Sequence, residues 1–348
     1  MKKIIALILT FVLLLSLTGC VGTTVVIGEC TCPEGGHTTP APVVPAEGAL
    51  KTGLSVSVKI SDSVSATAEA AGAAKYDVTL AAVTVDENGR IVSCVIDSIP
   101  ATVSFDAAGT ITSDIAAQVL TKNELGDSYG MVAWGGAIAE WDKQVAAVAK
   151  YAEGKTVAEL KNGDIDMTTG KAKDGTDLSS SATIYLAGYV YAIEAAVNNA
   201  QPRGAQAGDE LVLATLNSTK SSTAGNAQLD ADITVLTKKD GKITSCYIDS
   251  LQAKIGFDAT GKITTDLSAG VKTKNELGKD YGMVAWGGAI AEWNEQAAAF
   301  ASYVTGKTAA EVAGIAVTET TKPADADLSS SVTIAIGGFQ ALIAKAMQ

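Results

Sequence analysis

Tyr129-Gly-Met-Val-Ala-Trp-Gly-Gly-Ala-Ile-Ala-Glu-Trp141 decides how this chain is organised, because the same thirteen residues recur unchanged as Tyr281–Trp293. Upstream of this segment, Thr121–Gly126 matches Thr273–Gly278 in the same relative position. A period of about 150 residues is far longer than a solenoid repeat and is an ordinary length for a domain. The chain therefore contains two copies of one folding unit.

Each copy changes along its length from strand-forming to helix-forming sequence. Tyr76–Val85 and Arg90–Ile99 are rich in β-branched residues and flank an Asn-Gly pair, which predicts a hairpin. Ala137–Ala152 is alanine-rich with apolar residues at helical spacing, and Ile184–Asn198 is predicted to be the closing helix. An antiparallel sheet followed by helices belongs to the α+β class.

The predicted organisation has two domains behind an N-terminal extension. Residues 52–200 are predicted to form the first domain and residues 208–348 the second, joined by the turn-rich segment Gln201–Gly208. Residues 1–19 have two lysines before an apolar run, which is typical of a secretory signal peptide. Residues 20–51 are rich in Pro, Gly and Thr and are predicted to be a flexible tether.

The signal peptide ends in Leu17-Thr-Gly-Cys20, which resembles the lipobox of bacterial lipoproteins. That resemblance implies cleavage before Cys20 and attachment of palmitate-type acyl chains to it. The predicted location is then the extracellular face of the cell membrane, with the body held by its lipid anchor. An uncleaved membrane anchor is the alternative.

Composition excludes several classes of function. The chain has 26 basic and 38 acidic residues and a net charge of −12, so it lacks the basic surface of a nucleic-acid-binding protein. The single histidine, His37, lies in the tether, which argues against a Ser-His-Asp hydrolase.

Cys30 and Cys32, near His37, lack a fourth metal ligand, so a tether disulfide or free thiols are favoured over a metal site. Cys94 and Cys246, one in each copy, are predicted to be small core residues.

A seven-residue string precedes the predicted closing helix in both copies, as Asp177-Leu-Ser-Ser-Ser-Ala-Thr183 and Asp327-Leu-Ser-Ser-Ser-Val-Thr333. Asp, Ser and Thr ahead of an apolar run are common helix N-cap residues. The string also resembles the flavinylation signal of the FMN-binding domain family. In that family a dedicated transferase esterifies the last hydroxyl of the string to the phosphate of flavin mononucleotide.

This resemblance implies the cofactor, its attachment sites and the partners. Two FMN groups would be bound covalently through the hydroxyls of Thr183 and Thr333. Six other polar residues of the two strings would belong to the signal that the flavin transferase recognises: Asp177, Ser180, Ser181, Asp327, Ser330 and Ser331. Ser181 and Ser331 stand where the family pattern has glycine.

The whole arrangement resembles flavinylated lipoproteins of Gram-positive extracellular electron transfer. It implies a redox carrier rather than a substrate-specific enzyme, one that relays electrons from a membrane quinone pathway to external acceptors such as ferric iron. The alternative is a surface binding or adhesion lipoprotein without a cofactor, in which the two strings are only helix caps.

Two further pairs of residues are candidates for contact with a flavin ring. Trp134 and Trp286 precede paired glycines, so their indoles could stack on a planar ligand that the backbone approaches closely; burial in the core is the competing interpretation. Asn123 and Asn275 carry both a donor and an acceptor that match the flavin edge, although solvated loop residues are the favoured interpretation.

Overall fold

A computed structural model describes residues 48–348, which belong to one compact unit. The predicted signal peptide, nearly all of the tether, and the predictions for Cys20, Cys30, Cys32 and His37 lie outside the described residues.

The first copy begins with an antiparallel meander and continues with helices. Its strands are β1 (Ala49–Lys59), β2 (Gly72–Val85) and β3 (Ile91–Phe105). The helices and two short strands that follow are α1 (Lys122–Leu125), α2 (Met131–Gly135), α3 (Trp141–Ala152), α4 (Val157–Asn162), β4 (Ile165–Asp166), β5 (Lys171–Ala172), α5 (Asp177–Ser181) and α6 (Ala187–Asn198).

The second copy repeats this order without the two short strands, after one linking strand, β6 (Gln201–Gln206). Its strands are β7 (Glu210–Ser218), β8 (Asn226–Lys239) and β9 (Lys242–Gly256). Its helices are α7 (Lys274–Leu277), α8 (Met283–Gly287), α9 (Trp293–Val304), α10 (Ala309–Ala313), α11 (Ala326–Ser329) and α12 (Gly337–Ala346). Antiparallel sheets followed by helices confirm the predicted α+β class.

The predicted hairpin is present between β2 and β3. Gly89 has a φ of 74°, a conformation that glycine adopts without steric cost, and Asp86 Oδ1 accepts hydrogen bonds from the backbone of Asn88 and Arg90. The residues that predicted the hairpin therefore form the turn between β2 and β3.

The joint between the copies differs from the prediction. Gln201–Gln206 is not a turn-rich linker but strand β6, which pairs antiparallel with the first residues of β1 and extends that sheet to the order β3-β2-β1-β6. Pro202 is tolerated because it lies on an edge strand, where a missing N–H need not break a ladder. Pairing with a distant strand thus overrides the local preference of Pro and Gly for turns.

Each copy packs its helices on one face of its own sheet. In the first copy, Trp141, Val145 and Val148 of α3 are buried with Val190 and Ile193 of α6. The second copy has the corresponding cluster around α9 and α12. Cys94 and Cys246 are buried free thiols in these clusters, and burial raises the pKa of each to about 12.

A third hydrophobic cluster joins the other faces of the two sheets. It contains residues of β1 to β3 together with residues of β7 to β9. At its centre the rings of Phe105 and Phe257 stack with centroids 3.9 Å apart and planes within 4°. The two copies therefore share part of their core.

The contact between the sheets is reciprocal. Gly109 fits closely against the carbonyl oxygen of Asp258, and Gly261 fits in the same way against that of Asp106. A Cβ added to either glycine would lie within 2.7 Å of that oxygen, so no larger residue fits either position without a backbone shift. Equivalent residues of the two copies thus make equivalent contacts across the interface.

Three helices begin later than the sequence predicted. The helix expected from Ala137 begins at Trp141, and Ile138 is exposed instead of forming part of its apolar face. The closing helices, expected from Ile184 and Ile334, begin at Ala187 and Gly337. Before the two closing helices, the backbone N–H groups of Thr183 and Ile184 donate to Gln144, and those of Thr333 and Ile334 donate to Gln296.

Candidate functional site

The Asp-Leu-Ser-Ser-Ser segments do not cap the closing helices. They form short helices of their own, α5 and α11. Thr176 caps α5 by accepting the backbone N–H of Ser179, and Asp325 caps α11 by accepting those of Asp327 and Leu328. Asp177 and Asp327 lie in the first turn, where a carboxylate interacts favourably with the helix dipole.

The serines of both strings are exposed or half-buried and hold the short helices together. Ser180 and Ser181 both donate their hydroxyls to the carbonyl of Asp177. In the second copy Ser330 donates to the carbonyl of Asp327 and Ser331 to that of Leu328. Neither Ser181 nor Ser331 has a positive φ, so the glycine of the family pattern is not required here by backbone geometry.

Thr183 is fixed by a side chain that the sequence did not single out. The amide oxygen of Gln144 accepts the backbone N–H of Thr183 at 2.8 Å, its hydroxyl at 3.3 Å, and the backbone N–H of Ile184 at 3.2 Å. Gln144 has no exposed surface, whereas Thr183 is exposed. Because the hydroxyl donates inward, its oxygen lone pairs remain available to solvent.

The same arrangement recurs in the second copy. Gln296 is also fully buried, and its amide oxygen accepts the backbone N–H of Thr333 at 2.7 Å, its hydroxyl at 3.2 Å and the N–H of Ile334 at 3.2 Å. A glutamine on the buried face of a predicted helix, present in both copies, was the available signal. Buried amides require hydrogen-bond partners, so each glutamine implies a specific neighbour.

The residue before each threonine explains one difference between the strings. Ala182 is buried and extended, with φ of −143° and ψ of 119°, so its side chain and that of Thr183 point to opposite sides of the backbone. Val332, its counterpart, is also fully buried and belongs to the core of the second copy. The exchange of Ala for Val is thus a difference in packing.

Trp134 and Trp286 are among the most exposed large apolar side chains of the described residues, with 88% and 90% of their surface accessible. Each indole lies against the glycine four residues earlier, Gly130 or Gly282, which leaves no space there for a Cβ. The core interpretation of these two residues is therefore wrong, whereas Trp141 and Trp293 are buried.

Gln144 also links Thr183 to the segment that carries Trp134. Its amide nitrogen donates to the carbonyl of Ala139 at 2.7 Å, in the loop between α2 and α3. In the same loop, buried Glu140 accepts the backbone N–H groups of Met131 and Val132 and so fixes the first turn of α2. The segment that carries Trp134 and the residue Thr183 are thus both anchored at the N-terminal end of α3.

The two asparagines serve the scaffold. The side-chain NH₂ of Asn123 donates to the carbonyl of Ile96 at 2.8 Å, and its backbone N–H donates to the buried carboxylate of Asp97 at 3.1 Å. Asn275 makes the same contacts to Ile248 and Asp249. Because each NH₂ group is already bonded to a strand, a donor role toward a flavin edge lacks support from this geometry.

Comparison with known proteins gives no match to the model of any protein family, to any curated protein or to any solved structure. Within residues 48–348, no helix is both long enough and apolar enough to cross a bilayer. In the same residues, no three His, Cys, Asp or Glu side chains are grouped so that they could hold a metal ion.

Proposed function

We propose that this chain is a lipid-anchored extracellular flavoprotein. FMN is bound covalently through a phosphoester to Thr183 and to Thr333, in two FMN-binding-like units. The protein relays electrons from a membrane quinone pathway to external acceptors such as ferric iron. The resemblance of the two strings to a flavinylation signal, together with the lipobox ending at Cys20, supports this assignment.

The observation that carries the proposal is the pairing of each threonine with a fully buried glutamine in both copies, with Thr183 exposed and Thr333 half-buried. Gln144 and Gln296 hold the backbone and hydroxyl of Thr183 and Thr333 through donor–acceptor distances that agree within about 0.1 Å between the copies. Each hydroxyl is the donor in its bond, so that bond does not use the oxygen lone pairs that an esterification requires. A helix cap would not require this arrangement.

The segment that Gln144 links to Thr183 fits a planar, partly apolar group. Trp134 presents almost its entire indole to solvent, and exposed Val132 and Ile138 lie in the same segment. Covering such a surface with an aromatic ring is favourable by about 25 cal/mol for each Å² of apolar area removed from water. Gly135 and Gly136 have open space where a Cβ would be, so the backbone allows close approach.

Bound FMN supplies reversible two-electron redox chemistry. The chain's own residues hold the attachment oxygen, present an aromatic surface and keep both sites on one compact unit. A covalent bond suits an exported protein, because a dissociable cofactor would be lost by dilution outside the cell.

The test is the intact mass of the full-length chain after co-expression with a flavin transferase. We expect an added mass of two FMN less two waters, and a fluorescent band that survives boiling in denaturant. Thr183→Ala and Thr333→Ala are each expected to remove one flavin, and the double variant both. Serine at either position is the matched control, because it retains the hydroxyl.

An unmodified mass under these conditions would contradict the proposal. The exposed indoles would then favour the adhesion alternative, since contiguous apolar surface on a soluble body marks an interaction site.

A further inference from the structure

A groove with a volume of about 760 Å³ runs along α6, the helix that follows Thr183. Two of its aromatic residues are replaced by alanine in the second copy. The side chains of β1 and β2 form its floor, and the early turns of α6 form one wall. A third side comes from the second copy, at Gly270, Val271 and Glu276. This volume is within the range of small-molecule sites, about 300–1,000 Å³.

Three tyrosines line the groove, the half-buried Tyr189 and two exposed ones. Tyr185, two residues after Thr183, is 62% exposed, and Tyr191 is 53% exposed. The helix also presents small residues to the groove, Gly188, Ala192 and Ala195. A flat ring can therefore lie along the helix between the two exposed phenols.

Both exposed tyrosines are held in place by residues that the second copy lacks. The ring of Tyr185 packs directly on Gly170, and Lys161 lies 5.3 Å from the centre of the Tyr191 ring while pairing with Glu194. In the second copy alanine replaces Tyr185, Tyr191, Lys161 and Glu194, as Ala335, Ala341, Ala313 and Ala344.

The place of Gly170 is taken in the second copy by Thr321. Both residues have a positive φ, 70° and 58°, and the carbonyl of each accepts the N–H of the residue that precedes the closing helix. A side chain at Gly170 would collide with the ring of Tyr185, so tyrosine occurs only in the copy that has glycine. The aromatic groove is therefore a coordinated feature of the first copy.

The floor supplies hydrogen-bonding groups that the protein itself does not use. Ser55, Ser57 and Thr79 line the groove, and none of their hydroxyls bonds to another group among residues 48–348. Two carboxylates and one ammonium line the groove: Asp77 lies 3.9 Å from Lys122, Lys59 is paired with Asp62 at 2.7 Å, and Glu276 adds a further negative charge. Free hydroxyls suit ring carbonyls, and the acidic lining disfavours anions.

We propose that this groove binds a diffusible, neutral, planar aromatic compound with ring carbonyls, a chemistry shared by quinones and free flavins. The binding itself is independent of covalent flavinylation. Its use in electron exchange beside Thr183 rests on the proposed function.

The test measures binding of riboflavin and of menadione to the full-length chain produced without a flavin transferase. We expect saturable binding at one site. Binding of riboflavin would identify free flavins as the ligand class, and binding of menadione would identify quinones. If the site accepts both, the two probes should compete. FMN, which adds a phosphate dianion to riboflavin, is expected to bind at least about tenfold more weakly. Absence of saturable binding of both neutral probes would overturn the proposal, and equal binding of FMN and riboflavin would overturn the assignment to a neutral ligand.

Two variants and two controls locate the site. Tyr185→Ala combined with Tyr191→Ala gives the groove the residues of the second copy and is expected to weaken binding at least about tenfold. Gly188→Leu fills the groove while increasing helix propensity, so it is expected to abolish binding without lowering the melting temperature. Tyr151→Ala and Tyr303→Ala, each of which removes a tyrosine under a lysine outside the groove, are expected to leave binding unchanged.

Unchanged binding in both the double tyrosine variant and Gly188→Leu would place the ligand elsewhere and overturn the proposal. Because the protein in this experiment carries no covalent flavin, the result is separate from the mass measurement that tests the proposed function.

Discussion

The amide oxygen of Gln144, a residue with no exposed surface, accepts hydrogen bonds from both the backbone and the hydroxyl of Thr183, which lies at the surface. One buried side chain thereby fixes the position of an exposed oxygen. Gln296 and Thr333 repeat the relationship.

Gln144→Leu is expected to reduce flavinylation of Thr183 and leave that of Thr333 unchanged. The substitution also leaves three backbone groups of Ala139, Thr183 and Ile184 without their partner, which costs about 1–3 kcal/mol of stability for each group left buried. Peptide mass spectrometry measures the occupancy of each threonine separately. Gln296→Leu is the matched control and should produce the reverse pattern, and full occupancy of both threonines in either variant would contradict a positioning role.

Trp134→Ala is expected to change the proposed flavin and not the stability of the fold. An exposed side chain contributes little to folding, so the free energy of unfolding should change by less than about 0.5 kcal/mol. In a Thr333→Ala background, which leaves one flavin, loss of the indole should increase flavin fluorescence. Trp141→Ala is the buried comparison and should cost about 3–5 kcal/mol. Fluorescence that does not respond to Trp134→Ala would separate this indole from the cofactor.

Asp249 should give the protein a pH-dependent stability in the acid range. Burial raises the pKa of its carboxyl to about 6, well above its ordinary value, so the unfolded chain releases this proton at lower pH than the folded one. The free energy of unfolding therefore decreases as the pH rises from about 4 to about 6. Asp249→Asn does not titrate, and the difference between the two proteins in urea unfolding should follow this window. Burial also raises the pKa of Asp97, but that residue is common to both proteins. A difference that stays constant from pH 4 to pH 7 would contradict the expectation.

The two copies should unfold together because they share a hydrophobic cluster. Phe105→Ala removes one ring of the stacked pair with Phe257 and is expected to cost about 3–5 kcal/mol. Differential scanning calorimetry should show one transition in the wild type and a lower midpoint for the whole molecule in the variant. Two separate transitions in the wild type, with only the first affected, would indicate independent units.

Local sequence predicted those parts of the fold that depend on local chemistry. The Asn88-Gly89 turn, the capping box at Thr156 and the buried face of α3 follow from residues a few positions apart. The later start of α6 could not be predicted in this way, because Thr183 and Ile184 bond to Gln144, about forty positions away. For the same reason β6 was interpreted as a joint, since its partner β1 lies at the other end of the first copy.

The sequence singles out the two candidate attachment residues, whereas their surroundings depend on packing that it does not show. The repeated string drew attention to Thr183 and Thr333 because two copies share it. Whether Trp134 is buried or exposed depends on how α2 packs, and that is set by the buried carboxylate of Glu140. The exchange of Tyr185 for Ala335 can be explained only from the structure. The ring of Tyr185 packs on Gly170, and Thr321 takes the place of that glycine in the second copy.

The reciprocal fit of Gly109 against Asp258 and of Gly261 against Asp106 has the form of an isologous dimer interface, in which the same surface serves both partners. A homodimer must carry every substitution twice, once in each subunit. Two halves encoded in a single chain are free of that restriction, so one half can keep a binding feature that would obstruct the other. The tyrosines of the first half and the alanines of the second show that the two halves of this chain differ at equivalent positions.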